Sequence, residues 1–186
     1  MIPMIHRTNA ELEAGLDDIR AAPKNRGVLA MIVRRPQIGR RDVLDEAELN
    51  VVEGLAGDTW RHRSSKRTSD GSPHPDMQLN IIGARAVDLM AGDRSRWPLA
   101  GDQLVIDLDL SGANLPPGTR LAIGSAVIEV TDQPHTGCGK FVERYGVAAH
   151  KLVNSLVGRE LNLRGINARV VQPGTIRVGD AVVKQT

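Results

Sequence analysis

Cys138 is the only cysteine in the chain, and it stands in Gln133-Pro134-His135-Thr136-Gly137-Cys138-Gly139-Lys140-Phe141. A thiolate can act as a nucleophile, a sulfur carrier or a soft metal ligand, so the question is what favours its ionised form. Gly137 and Gly139 leave the backbone on either side bare and open to close approach by a ligand. The following Phe141-Val142-Glu143-Arg144-Tyr145 reads as helical, which sets Cys138 just ahead of a helix N-terminus. Lys140 lies two residues after it and His135 three residues before, and each neighbour favours thiolate over thiol. A free cysteine is often a small buried core residue instead. The polar and glycine neighbours weigh against that seat.

Other candidate groups are weaker. Pairing Cys138 with His135 or His150 as a cysteine hydrolase needs an imidazole within reach of sulfur, and no third orienting residue can be named. His62 and His74 lack partners at metal-ligand spacing. Asp107, Asp109 and Asp132 read as a solvated strand face. Arg34, Arg35, Arg40 and Arg41 read as a solvated loop, with an anion as the alternative. From Arg61 to Asp76 the chain carries Arg61, His62, Arg63, Lys66, Arg67 and His74 and has little to bury. That predicts a mobile surface loop, and its functional reading is a basic lid over a phosphorylated ligand.

These residues must be placed by the elements around them. Thr8-Asn9-Ala10-Glu11 forms a capping-box pattern ahead of Leu12, Leu16 and Ile19, and Pro23 closes that helix. Strands are predicted over Val28–Val33, Met77–Ile82, Ala126–Val130 and Asn167–Val171. A short helix is predicted over Ala84–Met90, ended by Gly92, and the clearest helix over Val147–Val157, with Val147, Leu152, Val153, Leu156 and Val157 largely on one side and Gly158 at its end. The runs Pro117-Gly118-Thr119 to Val127 and Pro173-Gly174-Thr175 to Val182 echo each other as turn, strand, glycine turn, strand. A second half of antiparallel strands and short turns supplies the ingredients of a barrel.

Composition sets outer limits. The 186 residues suit one domain, and with Trp60, Trp97, Phe141 and Tyr145 as the whole aromatic set, aliphatic side chains must build the core. So few stacking platforms, and a net charge of only +2, argue against nucleic acid as a partner. One cysteine excludes an internal disulfide. The opening Met1–Arg7 has too short an apolar run for a signal peptide, and no stretch reaches membrane-span length. The expectation is a cytoplasmic protein with no membrane partner.

Four segments resemble the MOSC domain, the module named for the C-terminal part of molybdenum cofactor sulfurases. In chain order they are Gly54-Leu55-Ala56-Gly57-Asp58, Gly101-Asp102-Gln103-Leu104, the strand Ile123–Val130 leading to Cys138, and Gly174-Thr175-Ile176-Arg177-Val178-Gly179-Asp180. The resemblance spans about residues 27–184, leaving residues 1–26 as a helical brace on a domain over 27–186. It implies a mainly β fold: a closed antiparallel β-barrel with a few peripheral helices. It implies that Cys138 ligates molybdenum held by a pterin cofactor; His135, read with Cys138 as a catalytic group, would replace the family's arginine as a donor. Cofactor contacts would come from Thr136, Gly137, Gly139, Lys140, Asp58, Arg61, Arg63, Asp102 and Gln103. The activity implied is reduction of an N-hydroxylated or similar small substrate, with electrons from an external redox partner. The alternative is a sulfur carrier or cofactor-handling protein with a persulfide on Cys138, served by a cysteine desulfurase. Here Pro134-His135-Thr136-Gly137 replaces the arginine and proline that many members place before the cysteine, and Asp102-Gln103 replaces glutamate and asparagine.

Overall fold

The computed structural model describes residues 6–185; Met1–Ile5, the start of the run read above as too short for a signal peptide, lies outside them. The elements in order are α1 (Asn9–Ala14), α2 (Leu16–Arg20), β1 (Arg26–Arg34), β2 (Asp42–Leu44), β3 (Glu46–Asn50), β4 (Gly54–Leu55), β5 (Leu79–Gly83), α3 (Ala84–Ala91), β6 (Leu104–Asp107), β7 (Arg120–Ile123), β8 (Ala126–Val130), α4 (Gly139–Asn154), α5 (Leu156–Glu160), β9 (Ile166–Gln172), β10 (Gly174–Arg177) and β11 (Ala181–Lys184).

Seven strands close into a barrel in the order β11-β7-β8-β9-β5-β6-β1, with β1 returning to β11, and β2 extends the sheet beyond β1. All pairs are antiparallel except β5 and β6, which run parallel because the crossover through α3 separates them. A second sheet orders β10, β3 and β4.

Alternation along the strands divides the apolar residues between two cores. Leu79, Ile81, Leu104, Ile106, Leu121, Ile123 and Ile128 fill the barrel. Ile82, Val105 and Val33 point outward onto α3, α4 and the turn carrying Trp97. In β1 the inward residues are Leu29 and Ile32, three apart, where a strict period of two would separate them evenly. A bulge between Leu29 and Met31 supplies the extra residue and resets the phase.

The helices depart from expectation in instructive ways. The Thr8–Glu11 capping box forms, but the helix divides at Gly15, where a β-carbon would press on the Leu89 side chain of α3. Ser155, not Gly158, ends the long helix and caps α5 through the Gly158 N–H. Gly158 is needed for a different reason: its α-carbon passes against the Leu152 carbonyl, leaving no room for a side chain. The buried face is Phe141, Tyr145, Ala149 and Val153, while Val147 and Leu156 are exposed. Gly146 breaks the helical path at φ 88°, ψ 168°, so residues on either side follow different phases.

The two echoing segments also part company. Gly124 and Ser125 close the hairpin of β7 and β8. The corresponding Val178–Asp180 turn instead carries the chain from the small sheet, where β10 pairs with β3, into the barrel, where β11 pairs with β7 and β1.

Candidate functional site

Cys138 is exposed and is the N-cap residue of α4, with its side chain making no capping bond. Its carbonyl starts the helix by accepting from the Phe141 N–H at 2.9 Å. The preceding residue is clamped onto the same helix: the Gly137 N–H donates to Asn154 Oδ1 at 3.2 Å, and its carbonyl lies 3.2 Å from His150 Nε2. A β-carbon at 137 would lie 3.0–3.1 Å from Val153, Asn154 and His150, so only glycine sits there without displacing them. Thr136, Gly139 and Lys140 are exposed beside the thiol. His135 is not: it turns into the protein, away from the role of a cationic neighbour to Cys138.

Beneath lies a buried polar centre. Arg35, grouped in sequence with a solvated loop, is only 2 % exposed. Its Nη2 and Nε donate to the two oxygens of Asp58 at 2.8 and 2.9 Å, and its backbone N–H donates to Oδ2 at 2.9 Å. Asp58 also accepts from the Trp60 N–H, so it holds down the start of the Thr59–His62 turn. Burial alone would raise this carboxyl, but the bonds and charge of Arg35 outweigh it and hold the group below its ordinary range. Arg35 Nη1 continues to Asn80 Oδ1 at 3.0 Å and to the Gly101 carbonyl at 2.8 Å. Asn80 donates to Asn167, which donates to the Gln133 carbonyl. Gln103 is fully buried and accepts from the Asn80 N–H while donating to the Gln78 carbonyl. Asp58 and Gln103, expected to touch a cofactor, therefore have their polar atoms taken by the protein.

Asp102 is 1 % exposed and accepts from Arg164 Nη1 at 2.7 Å. The Arg164 guanidinium lies 5.1 Å from the Phe141 ring centre, a cation–π seat on α4. His135 Nδ1 stands 3.5 Å from Asp102 Oδ1. Burial, then Arg164 and Arg35, push the imidazole well below its usual range, so the ring is neutral.

The turn at Gly101 gathers further arginines that pair with no carboxylate among the described residues, although Asp58 and Asp102 act on Arg41 from a distance. A β-carbon at Gly101 would stand 3.5 Å from Arg144 Nη1 and 3.7 Å from Arg41 Nη2. Arg144 donates to the Leu99 carbonyl and Arg41 to the Arg40 carbonyl, while Arg41 Nε is buried without a partner. Arg63 stands at the rim and donates only to Thr59 Oγ1, at 3.1 and 3.0 Å. Crowding by the protein lowers the Arg41 guanidinium, with Arg144 and Arg35 adding to the effect. The same causes, burial and then Arg35, bring Arg63 to about 10. Among the described residues, Arg41, Arg63 and Arg144 form no ion pair, whereas exposed Arg61 pairs with Glu53. A recess of about 140 Å³ opens at Arg63, lined also by Trp60, His74, Met77 and Asn80; Arg41, Arg144 and Cys138 do not line it. The Arg61–Asp76 segment over it is built of turns: Thr68 Oγ1 donates to the Ser65 and Ser72 carbonyls, and Arg67 reaches Gln133.

Sequence reasoning did not find Arg144, Arg164, Asn80 or Asn167 and misplaced Arg35. Their partners lie tens of residues away, and the one local signal was two arginines running straight on from an apolar strand. No group of three or more His, Cys, Asp or Glu side chains suited to a metal ion occurs among the described residues. No helix among them is long and apolar enough to cross a membrane.

A family model for the MOSC domain matches residues 73–183, more than half of the chain. No curated protein matches it. Similar solved structures include the YuaD protein of Bacillus subtilis, at TM-score 0.63 and 16 % identity, covering 87 % of this chain and 97 % of that one. YiiM of Escherichia coli aligns at TM-score 0.55 and 20 % identity over 86 % of this chain and 70 % of its own. YiiM of Geobacillus stearothermophilus aligns at 0.58 and 15 %, over 87 % and 75 %. These likenesses concern the fold.

Proposed function

Starting from the fact that the chain belongs to the MOSC domain family, we propose that it binds a molybdenum–pterin cofactor, with Cys138 as the thiolate ligand. The family is generally associated with that cofactor. The observation that carries the reading is the group of guanidinium ions at Arg41, Arg63 and Arg144, none of them in an ion pair among the described residues, beside the polar centre that receives His135. Arginine forks donate and never accept, which suits phosphate oxygens. The exposed thiol at the head of α4 suits a soft metal. Cys138 would be the one sulfur ligand this chain offers such a metal.

In this reading Arg41, Arg63 and Arg144 hold the phosphate, and Arg35 and Asp58 fix the turn from which Arg63 projects. Asn154 and His150 keep the Cys138 loop seated on α4. Bound cofactor supplies two-electron reduction of an N-hydroxylated or similar small substrate, with electrons from an external donor. The chain made in a host competent for cofactor synthesis should carry about one molybdenum and one pterin. Cys138→Ser should lose metal while keeping part of the pterin, and Arg41→Ala with Arg63→Ala should lose both. Metal equal in wild type and Cys138→Ser would end this reading.

The exposed, uncapped thiol equally suits the alternative of a sulfur carrier. Mass spectrometry after incubation with a cysteine desulfurase separates the two: a 32 Da adduct (about one sulfur atom) on Cys138 in protein without molybdenum supports the carrier.

A further inference from the structure

Two polar atoms beside this site are sealed from water and form no hydrogen bond among the described residues, yet they are near neighbours: Asp102 Oδ1 and His135 Nδ1, 3.5 Å apart. Arg164 Nη1 donates to the other carboxylate oxygen and Nη2 to the Ala100 carbonyl, while its Nε is buried without a partner among the described residues, so Asp102 is its counter-charge. Burial pushes the Asp102 carboxyl up, and Arg164 works against that. Protonating Asp102 would leave a guanidinium unbalanced in the interior, so the pair requires the carboxylate. A carboxylate only accepts, and an imidazole nitrogen facing it must carry the hydrogen. The charged groups acting on the ring are Asp102, Arg164 and Arg35. A neutral ring with its hydrogen on Nδ1 keeps its lone pair on Nε2. Nε2 has no partner among the described residues and, unlike Nδ1, is not among their sealed, unpartnered atoms; the side chain keeps 12 % of its exposure.

We propose that Asp102 is a positioning residue that locks His135 in the Nδ1-protonated neutral tautomer, presenting Nε2 as an acceptor for a ligand N–H or O–H beside Cys138. His135 and Cys138 are three residues apart, so their α-carbons lie within about 11 Å. The fitting ligand class is a small hydroxylamine-like donor. That use rests on the cofactor reading above; the tautomer does not.

Diethyl pyrocarbonate modifies a neutral, reachable ring nitrogen, and mass mapping resolves each histidine in the cofactor-free chain. An ordinary histidine, half neutral near pH 6.5, slows about tenfold between pH 7.5 and 5.5. His135 should slow less than about twofold. In Asp102→Asn, Arg164 keeps the amide oxygen and the NH₂ turns to Nδ1, which moves the ring hydrogen to Nε2. Labelling of His135 should then fall about tenfold or more, while exposed His62 keeps its rate. If that variant does not fold, ¹⁵N spectra of the wild-type ring decide: a protonated Nδ1 with a pyridine-type Nε2 at neutral pH upholds the proposal. The reverse tautomer, an imidazolium, or a His135 unlabelled at every pH overturns it. A chain that passes and yet takes up no molybdenum discards the cofactor reading and keeps the tautomer.

Discussion

Replacing Asp58 by alanine tests whether this residue supports the site from below or touches a ligand. In the structure its side chain is fully buried and accepts three bonds from Arg35 and one from the Trp60 N–H. Its removal leaves a buried guanidinium without a counter-charge and orphans two backbone N–H groups. Breaking a buried pair in this one-sided way costs about 3–5 kcal/mol. For a chain of this length each kcal/mol moves the melting temperature by about 2–4 °C, so Asp58→Ala should melt about 6–20 °C lower. Adding Arg35→Met removes the stranded charge. The double variant should then recover part of the loss, still paying for the acceptors on Asn80 and Gly101 that Arg35 served, about 1–3 kcal/mol. Thermal melts of the three variants close the cycle. The carboxyl is depressed in the fold, so its contribution is complete above the unfolded value near 3.8 and drains away as pH falls through the lower folded value. Wild type should lose this stability below about pH 4, and Asp58→Asn should not share that loss. A single-variant shift under about 3 °C, or strict additivity in the double, would refute the account.

Further expectations concern the rim and the helices. Phosphate should raise the melting temperature of wild type, and Arg41→Ala or Arg63→Ala should abolish the rise without lowering the ligand-free melt, since neither arginine has an ion-pair partner to lose; a phosphate response intact in both variants counts against the anion site. Gly146→Ala forces a side chain into φ 88° and against the His6 ring at 2.7 Å, so it should destabilise by about 1–3 kcal/mol, and an unchanged melt would contradict the kink. Thr8→Ala removes the side-chain half of the capping box, the acceptor for the Glu11 N–H, and leaves the backbone N–H of residue 8 donating to Glu11; it should cost about 1 kcal/mol, seen as faster amide exchange confined to α1.

What could be read from the chain beforehand was whatever depends on near neighbours. The capping box, the Gly92 helix stop and the strand before Cys138 all formed where local pattern put them. The barrel itself came from the resemblance, and one parallel pair was not foreseen because nothing local distinguishes it from its antiparallel neighbours. The Val147–Val157 face was assigned in the wrong phase because Gly146 and Ser155 interrupt the helical period. For the site, the cysteine loop was legible, but the roles of Asp58, Asp102 and Gln103 were not. Each is spent on an arginine, histidine or asparagine from a distant segment, and which charges find each other across the barrel is invisible to a reading along the chain.

The closing seam joins β1 to β11, with Arg26 opposite Val183 and Val28 opposite Ala181. On the ribosome this ring therefore stays a curled, open sheet until residues 181–184 have emerged, with the flanks of β1 and β7 bare in the meantime. Those two flanks are a template for intermolecular pairing. Nascent chains stalled just short of residue 181 should be the ones most dependent on a holdase.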